Sequence, residues 1–185
     1  MKIKYYMLIS IAALWFIDCG GPSEPKEYIH TQAGFKITTP AGWKKTSEDH
    51  EIYEFRSGDY KLVEVGGFDL PVPPEDLFSL PTDEFVSLLR ESTLDGLDGY
   101  CLDARIRDYW VGDERETVWG DRIAYRVQAK GYSTEALTSM VIDIIAIVHE
   151  EKSRIYMFAS QIKESIYPQT KKVLELMIAS FQLTE

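Results

Sequence analysis

Val141 to Ile162 reads VIDIIAIVHEEKSRIYMFASQI. Val141–Val148 is apolar at every position except Asp143, so both faces of the segment require cover, which predicts a central strand. Glu150-Glu151-Lys152-Ser153 then turns the chain into a second strand, Arg154 to Ile162. A turn this short joins antiparallel neighbours. Just upstream, Ile123, Tyr125, Val127 and Ala129 alternate with Arg122, Arg126, Gln128 and Lys130, a third strand with one polar face. Just downstream, Ser165 is placed to cap a last helix with Pro168 in its first turn. Val173, Leu174, Met177, Ile178 and Phe181 form the apolar stripe of that helix.

The N-terminal half extends the pattern. Gly34–Pro40 alternates and stops at proline, a strand, and Pro40-Ala41-Gly42-Trp43 is a turn that delivers Trp43 to a core. Glu51–Arg56 and Tyr60–Val65 flank Ser57-Gly58-Asp59, a hairpin signal. Asp69–Pro81 holds Pro71, Pro73 and Pro74 and reads as an extended loop, because proline has no N–H for a sheet. Thr82-Asp83-Glu84 starts a helix with acids at its positive end. Gly96 and Gly99 are read as closing it. Leu102, Ala104 and Ile106 alternating with Asp103, Arg105 and Arg107 read as another strand. Strands, helix, strands and helix in that order predict one α+β domain over residues 28–185, an antiparallel β-sheet flanked by helices.

The chain has 185 residues, with 20 Lys+Arg against 30 Asp+Glu, a net charge of −10. Such a balance argues against nucleic acid as a partner, since phosphate binding needs clustered Lys and Arg. Two cysteines make neither a disulfide framework nor a Cys-rich zinc site.

The chain opens with Lys2 and Lys4 and an uncharged run from Tyr5 to Ile17, too short to span a bilayer and of signal-peptide length. Asp18-Cys19-Gly20-Gly21 follows. A Cys directly after such a run resembles the lipobox of bacterial lipoproteins, with Asp18 standing where lipoboxes carry a small residue. The resemblance implies a signal peptide over 1–18, acylation of Cys19 and a lipid-anchored place in the bacterial cell envelope. The other reading is a plain secretory leader with Cys19 incidental, although no small residue for an A-x-A-like site lies between Phe16 and Cys19. Cleavage before Cys19 removes Lys2, Lys4 and Asp18, leaving 167 residues at −11. Acyl chains rather than charge would then hold the domain at the membrane. Residues 19–27 read as the lipidated Cys and a flexible tether.

Three patches resemble one family. They are Gly34–Trp43, of the form G-F-x-I-x-x-P-x-G-W; Trp119–Tyr125, with its G-x-x-A strand start; and Lys171–Phe181, a helix closing on Ser-Phe. Together they resemble the PsbP/Mog1-like superfamily. The resemblance implies an α/β/α sandwich and, for function, a non-enzymatic module that binds or helps assemble other proteins.

The residues themselves offer little chemistry. His30, His50 and His149 fall in no metal-ligand spacing, and His149 reads as part of a solvated turn beside Glu150 and Glu151. No G-x-S-x-G, phosphate loop or dinucleotide fingerprint occurs, so neither a catalytic residue nor a cofactor is expected. Asp95 and Asp98 lack the spacing of a calcium loop, and the acid-rich stretch from Asp95 to Asp121 reads as solvated loop charge. Cys101 reads as a packed thiol. The proline-stiffened loop is the segment suited to contact, with Pro73, Pro74, Leu77 and Phe78 as candidate partner contacts; Leu77 and Phe78 folding back on the core is the other reading. Alternatively, the chain is an envelope hydrolase or a small-ligand or metal-binding protein using His149 or the acidic stretch.

Overall fold

The computed structural model describes residues 24–58, 61–70 and 72–184. The leader, Cys19 and the tether as far as Ser23 lie outside the described residues, as do Asp59, Tyr60 and Pro71. Among the described residues the strands are β1 (Lys26–His30), β2 (Phe35–Thr39), β3 (Lys44–Glu48), β4 (Ile52–Arg56), β5 (Lys61–Asp69), β6 (Ile106–Trp119), β7 (Arg122–Ser133), β8 (Thr138–His149), β9 (Arg154–Lys163) and β10 (Gln182–Leu183). The helices are α1 (Pro74–Ser79), α2 (Thr82–Asp103) and α3 (Tyr167–Ser180). A seven-stranded antiparallel sheet runs β3-β4-β5-β9-β8-β7-β6, and a small one runs β1-β2-β10.

β8 lies between β9 and β7, the central place its two apolar faces demand. Its alternate residues divide between two cores. Val141, Ile145 and Ile147 face α3 and the small sheet. Ile142, Ile144, Ala146 and Val148 face the side where Leu77 of α1 and Leu89, Leu97 and Cys101 of α2 pack. Helices thus cover both faces of the large sheet, as expected for the sandwich, and among the described residues no closed barrel forms.

The three motif patches meet in one aromatic cluster. Phe35 of β2 stacks on Phe181 at 5.5 Å, and Phe181 lies 4.4 Å from the Trp119 ring. Trp119 donates its indole N–H to the carbonyl of Ile178 at 2.7 Å, and Tyr156 donates its hydroxyl to the carbonyl of Ala33 at 2.8 Å. Trp43 is buried in the same core. Each such ring contributes about 1.5–3 kcal/mol by burial. These patches hold the small sheet and α3 on the large sheet; they are packing residues.

Several local expectations are corrected. Gly96 and Gly99 do not end α2, which continues to Asp103, so Leu102 and Asp103 are helical rather than extended. Gly96 sits where a Cβ would come within 2.9 Å of the Met157 sulfur, so the small residue lets the helix lie close on the sheet. The acid-rich stretch is no loop beyond Arg105: Ile106–Trp119 is the edge strand β6, with its register shifted between Arg107 and Trp110 and again between Val111 and Asp113. Charges and bulges on an edge strand guard it against pairing with other chains. The proline-rich loop contains α1, where Pro74 sits in the first turn and its missing N–H costs nothing. β1 begins at Lys26, paired with Thr39, inside the segment read as tether. Ser165 lies in a single 3₁₀ turn (Glu164–Ile166) instead of capping α3. His149 is buried, at 7% exposure, and is not part of a solvated turn.

Candidate functional site: a cleft beside helix α2

Helix α2 lies over β6, β7 and β8, and its C-terminal half borders a cleft over β4, β5 and β9. The cleft has two lobes that share Ile52, Glu64, Tyr100 and Asp103. The larger, about 590 Å³, is polar, with Glu54, Arg56, Lys61, Glu135 and Gln161 on its walls. The smaller, about 370 Å³, is apolar, with Phe68, Gly96, Ile144, Ile155, Met157 and Ala159.

The strand register creates the electrostatics at the junction. Glu54 of β4 sits directly opposite Glu64 of β5. Like charges in directly opposed positions repel. Arg56 pairs directly with Glu54 and acts on Glu64 only through its charge: its Nε donates to Glu54 Oε1 at 2.8 Å, and the Thr46 hydroxyl donates to the same oxygen at 2.5 Å. These contacts hold the Glu54 carboxyl below its ordinary range. Glu64 has no ion-pair partner among the described residues; burial, aided by Glu54, pushes it up to about 6. The Tyr100 hydroxyl, buried in the wall, finds no hydrogen-bond partner among the described residues, and burial raises its pKa well above the ordinary value. Buried polar groups are nearly always paired, so an unpaired one in a cleft marks a place for a ligand group.

The sequence-derived contacts lie at the other end of α2. Pro73 caps α1 and Pro74 is in its first turn. Leu77 is 2% exposed and belongs to the α2-side core, whereas Phe78 is 63% exposed. Phe78 rims a depression of about 440 Å³ with Leu80, Phe85, Arg122 and Ile123. Of the two apolar residues, Phe78 alone faces solvent, because the turn of α1 points Leu77 inward.

The remaining candidates are dispersed. His30 accepts the Ala33 N–H on Nδ1 at 3.2 Å and meets the Asp49 carbonyl with Nε2 at 3.0 Å, a structural role. Burial, with Arg122 and Lys152, lowers the His149 pKa. Cys101 is buried, and burial with the nearby Asp98 pushes its thiol up to about 12. No group of three or more His, Cys, Asp or Glu among the described residues is placed to hold a metal ion. Among those residues, too, no helix is long and apolar enough to cross a membrane. Glu64 left one trace in the sequence, as an acid inside the apolar run Leu62–Val65. Tyr100 left none, since its pairing with β5 is made only by the fold.

No protein-family model and no curated protein matches the sequence. Solved structures do match, and their fold is PsbP/Mog1-like. Cyanobacterial PsbP (CyanoP) from Synechocystis sp. PCC 6803 aligns with a TM-score of 0.59 at 13% identity, over 89% of this chain and 95% of that one. The Ran-binding protein Mog1p of Saccharomyces cerevisiae aligns at 0.58 and 10% identity, over 89% and 97%. LpqN of Mycobacterium tuberculosis, described as involved in cell envelope biogenesis, aligns at 0.52 and 9% identity, over 90% and 88%. At these identities the likeness is one of fold.

Proposed function

We propose that this chain is a lipoprotein of the bacterial cell envelope, anchored through Cys19, and a non-enzymatic module that binds another protein through the cleft beside α2. The observation that carries the binding reading is the junction of the cleft. A preformed concavity there holds a carboxyl without an ion-pair partner and a hydroxyl without a hydrogen bond among the described residues, both suited to an incoming group. The fold is compatible with it, since one neighbour is named for binding Ran and another for a role in the envelope. The Tyr5–Ile17 run and Cys19 support the anchoring. Pro73, Pro74 and Leu77 hold α1 in place, and Phe78 gives the same partner a second apolar contact.

A small-ligand or hydrolase reading draws on the same lobes, because Glu64 near pH 6 resembles a poised acid. Its natural acid/base partner is not free, since Glu54, directly opposite Glu64, is held by Arg56 and Thr46.

Cross-linking the full chain in its own membranes tests the proposal. One protein captured in stoichiometric amount supports it; a small molecule co-purifying with no cross-linked protein overturns the binding reading. The anchoring fails if Cys19→Ser leaves the protein membrane-bound and unchanged in mass.

A further inference from the structure

Two carboxylates at the cleft junction, Glu64 and Asp103, want the same kind of ligand group. Glu64 is a half-buried acid facing Glu54 and Arg56 from β4, Tyr100 and Asp103 from α2, Gln161 from β9, and Lys61 of its own strand. Arg56 is committed to Glu54. Asp103 ends α2, whose last turn carries no basic residue to balance the negative end of the helix. Helix C-termini favour a cation there. Glu54, Glu64, Asp103 and Glu135 outnumber Arg56 and Lys61 around the polar lobe, which favours a cationic ligand over an anionic one. The adjoining lobe is apolar and able to hold an aliphatic neighbour. The chain as a whole is at −10, so its field steers basic partners toward it.

Resting on the protein-binding reading, we infer that the cleft receives a lysine or arginine side chain of the partner, its cation between Glu64 and Asp103, and an adjacent apolar residue in the lobe over Ile144 and Met157. The cation gives Glu64 an ion-pair partner, of which it has none among the described residues, in the wall it shares with Tyr100. Binding then draws the Glu64 carboxyl back toward its ordinary 4.5 from about 6 and releases a proton in between.

The test uses the full chain in detergent and titration calorimetry. The probe is a blocked hexapeptide of alternating leucine and lysine. A leucine–glutamate counterpart and free hexylamine are the comparisons. The lysine peptide should bind and the glutamate peptide should not. Affinity should fall about eightfold between pH ~7.5 and pH ~5, the factor for one carboxyl moving from about 6 to 4.5. Glu64→Gln should weaken binding about tenfold at pH ~7.5 and abolish the pH dependence. Asp103→Asn, on the helix, should also weaken it and serves if Glu64→Gln misfolds. Glu116→Gln, on exposed β6, should do neither. Equal loss in Glu116→Gln would reduce the effect to general attraction by an acidic surface and overturn the inference. Hexylamine binding as tightly as the peptide would overturn the assignment to a protein segment. If a protein is captured in membranes and the lysine peptide does not bind, the cation inference falls and the binding module stands.

Discussion

Arg126 and Asp143 form a two-pronged ion pair across β7 and β8, with Nε to Oδ1 at 2.8 Å and Nη2 to Oδ2 at 2.6 Å. The pair is buried beneath α3. The Tyr167 hydroxyl donates to Asp143 Oδ2 at 2.8 Å, Gln128 donates to Tyr167 at 2.7 Å, and Glu175 reaches Arg126 at 2.9 Å. The one polar residue in the apolar run of β8 is thus the hub that docks α3. Removing one partner of a buried pair strands the other, so Asp143→Ala should destabilise by about 3–5 kcal/mol. Urea unfolding of the variant checks this; a loss below about 1 kcal/mol would show that the network does not hold α3.

Gly99 lies on the exposed side of α2, and nothing comes within 4 Å of where its Cβ would be. Gly99→Ala should therefore stabilise by roughly 0.5–1 kcal/mol through helix propensity. Gly131 is the contrast: a Cβ there would lie 2.5 Å from Ile106 Cγ2 and 3.2 Å from the Tyr109 Cα. Gly131→Ala should destabilise, and paired melting curves of the two variants would show opposite shifts.

Glu64 links the cleft to pH. Its carboxyl stands at about 6 in the folded chain against 4.5 for an ordinary one. The folded state keeps a proton that the unfolded state has released between those values. The resulting stability is full below pH 4.5 and lost as pH rises through 6. Above that the charged, half-buried group costs on the order of 2 kcal/mol. Glu64→Gln should be more stable than the parent at pH ~7.5 and closer to it at pH ~4. Denaturation midpoints of both proteins at the two pH values decide it, because the difference cancels the other carboxylates.

Cys101 lies on the buried face of α2, with its thiol pushed up to about 12. In a Cys19→Ser chain it is the sole thiol. Iodoacetamide should label it at least about a thousandfold more slowly in the native protein than in urea. Rapid native labelling would place the thiol at the surface.

The legible parts of the fold are those where one segment must be buried on both sides or must close a turn: β8, the β8–β9 turn and the Phe35, Trp43 and Phe181 patches. β6 faces water along most of its length, so it has no apolar alternation to reveal it. The reason for glycine at position 96 inside α2 is Met157, 61 residues away in β9, a closeness no local pattern shows. The same non-locality hid the candidate site. Glu64 and Tyr100 belong to different elements and become neighbours only when α2 lies across the sheet. The exposed Phe78 was visible because proline stiffens its surroundings, yet whether Leu77 or Phe78 turned inward depended on α1.

The most direct test of cleft-mediated protein binding places a photo-cross-linking amino acid at Glu135, on the rim of the polar lobe, and separately at Lys171, exposed on α3. Irradiation in intact cells, followed by mapping of the trapped peptide, should join one protein to position 135 through a segment carrying lysine or arginine, and not to position 171. Capture of that partner from position 171 with nothing trapped at 135 would contradict the account.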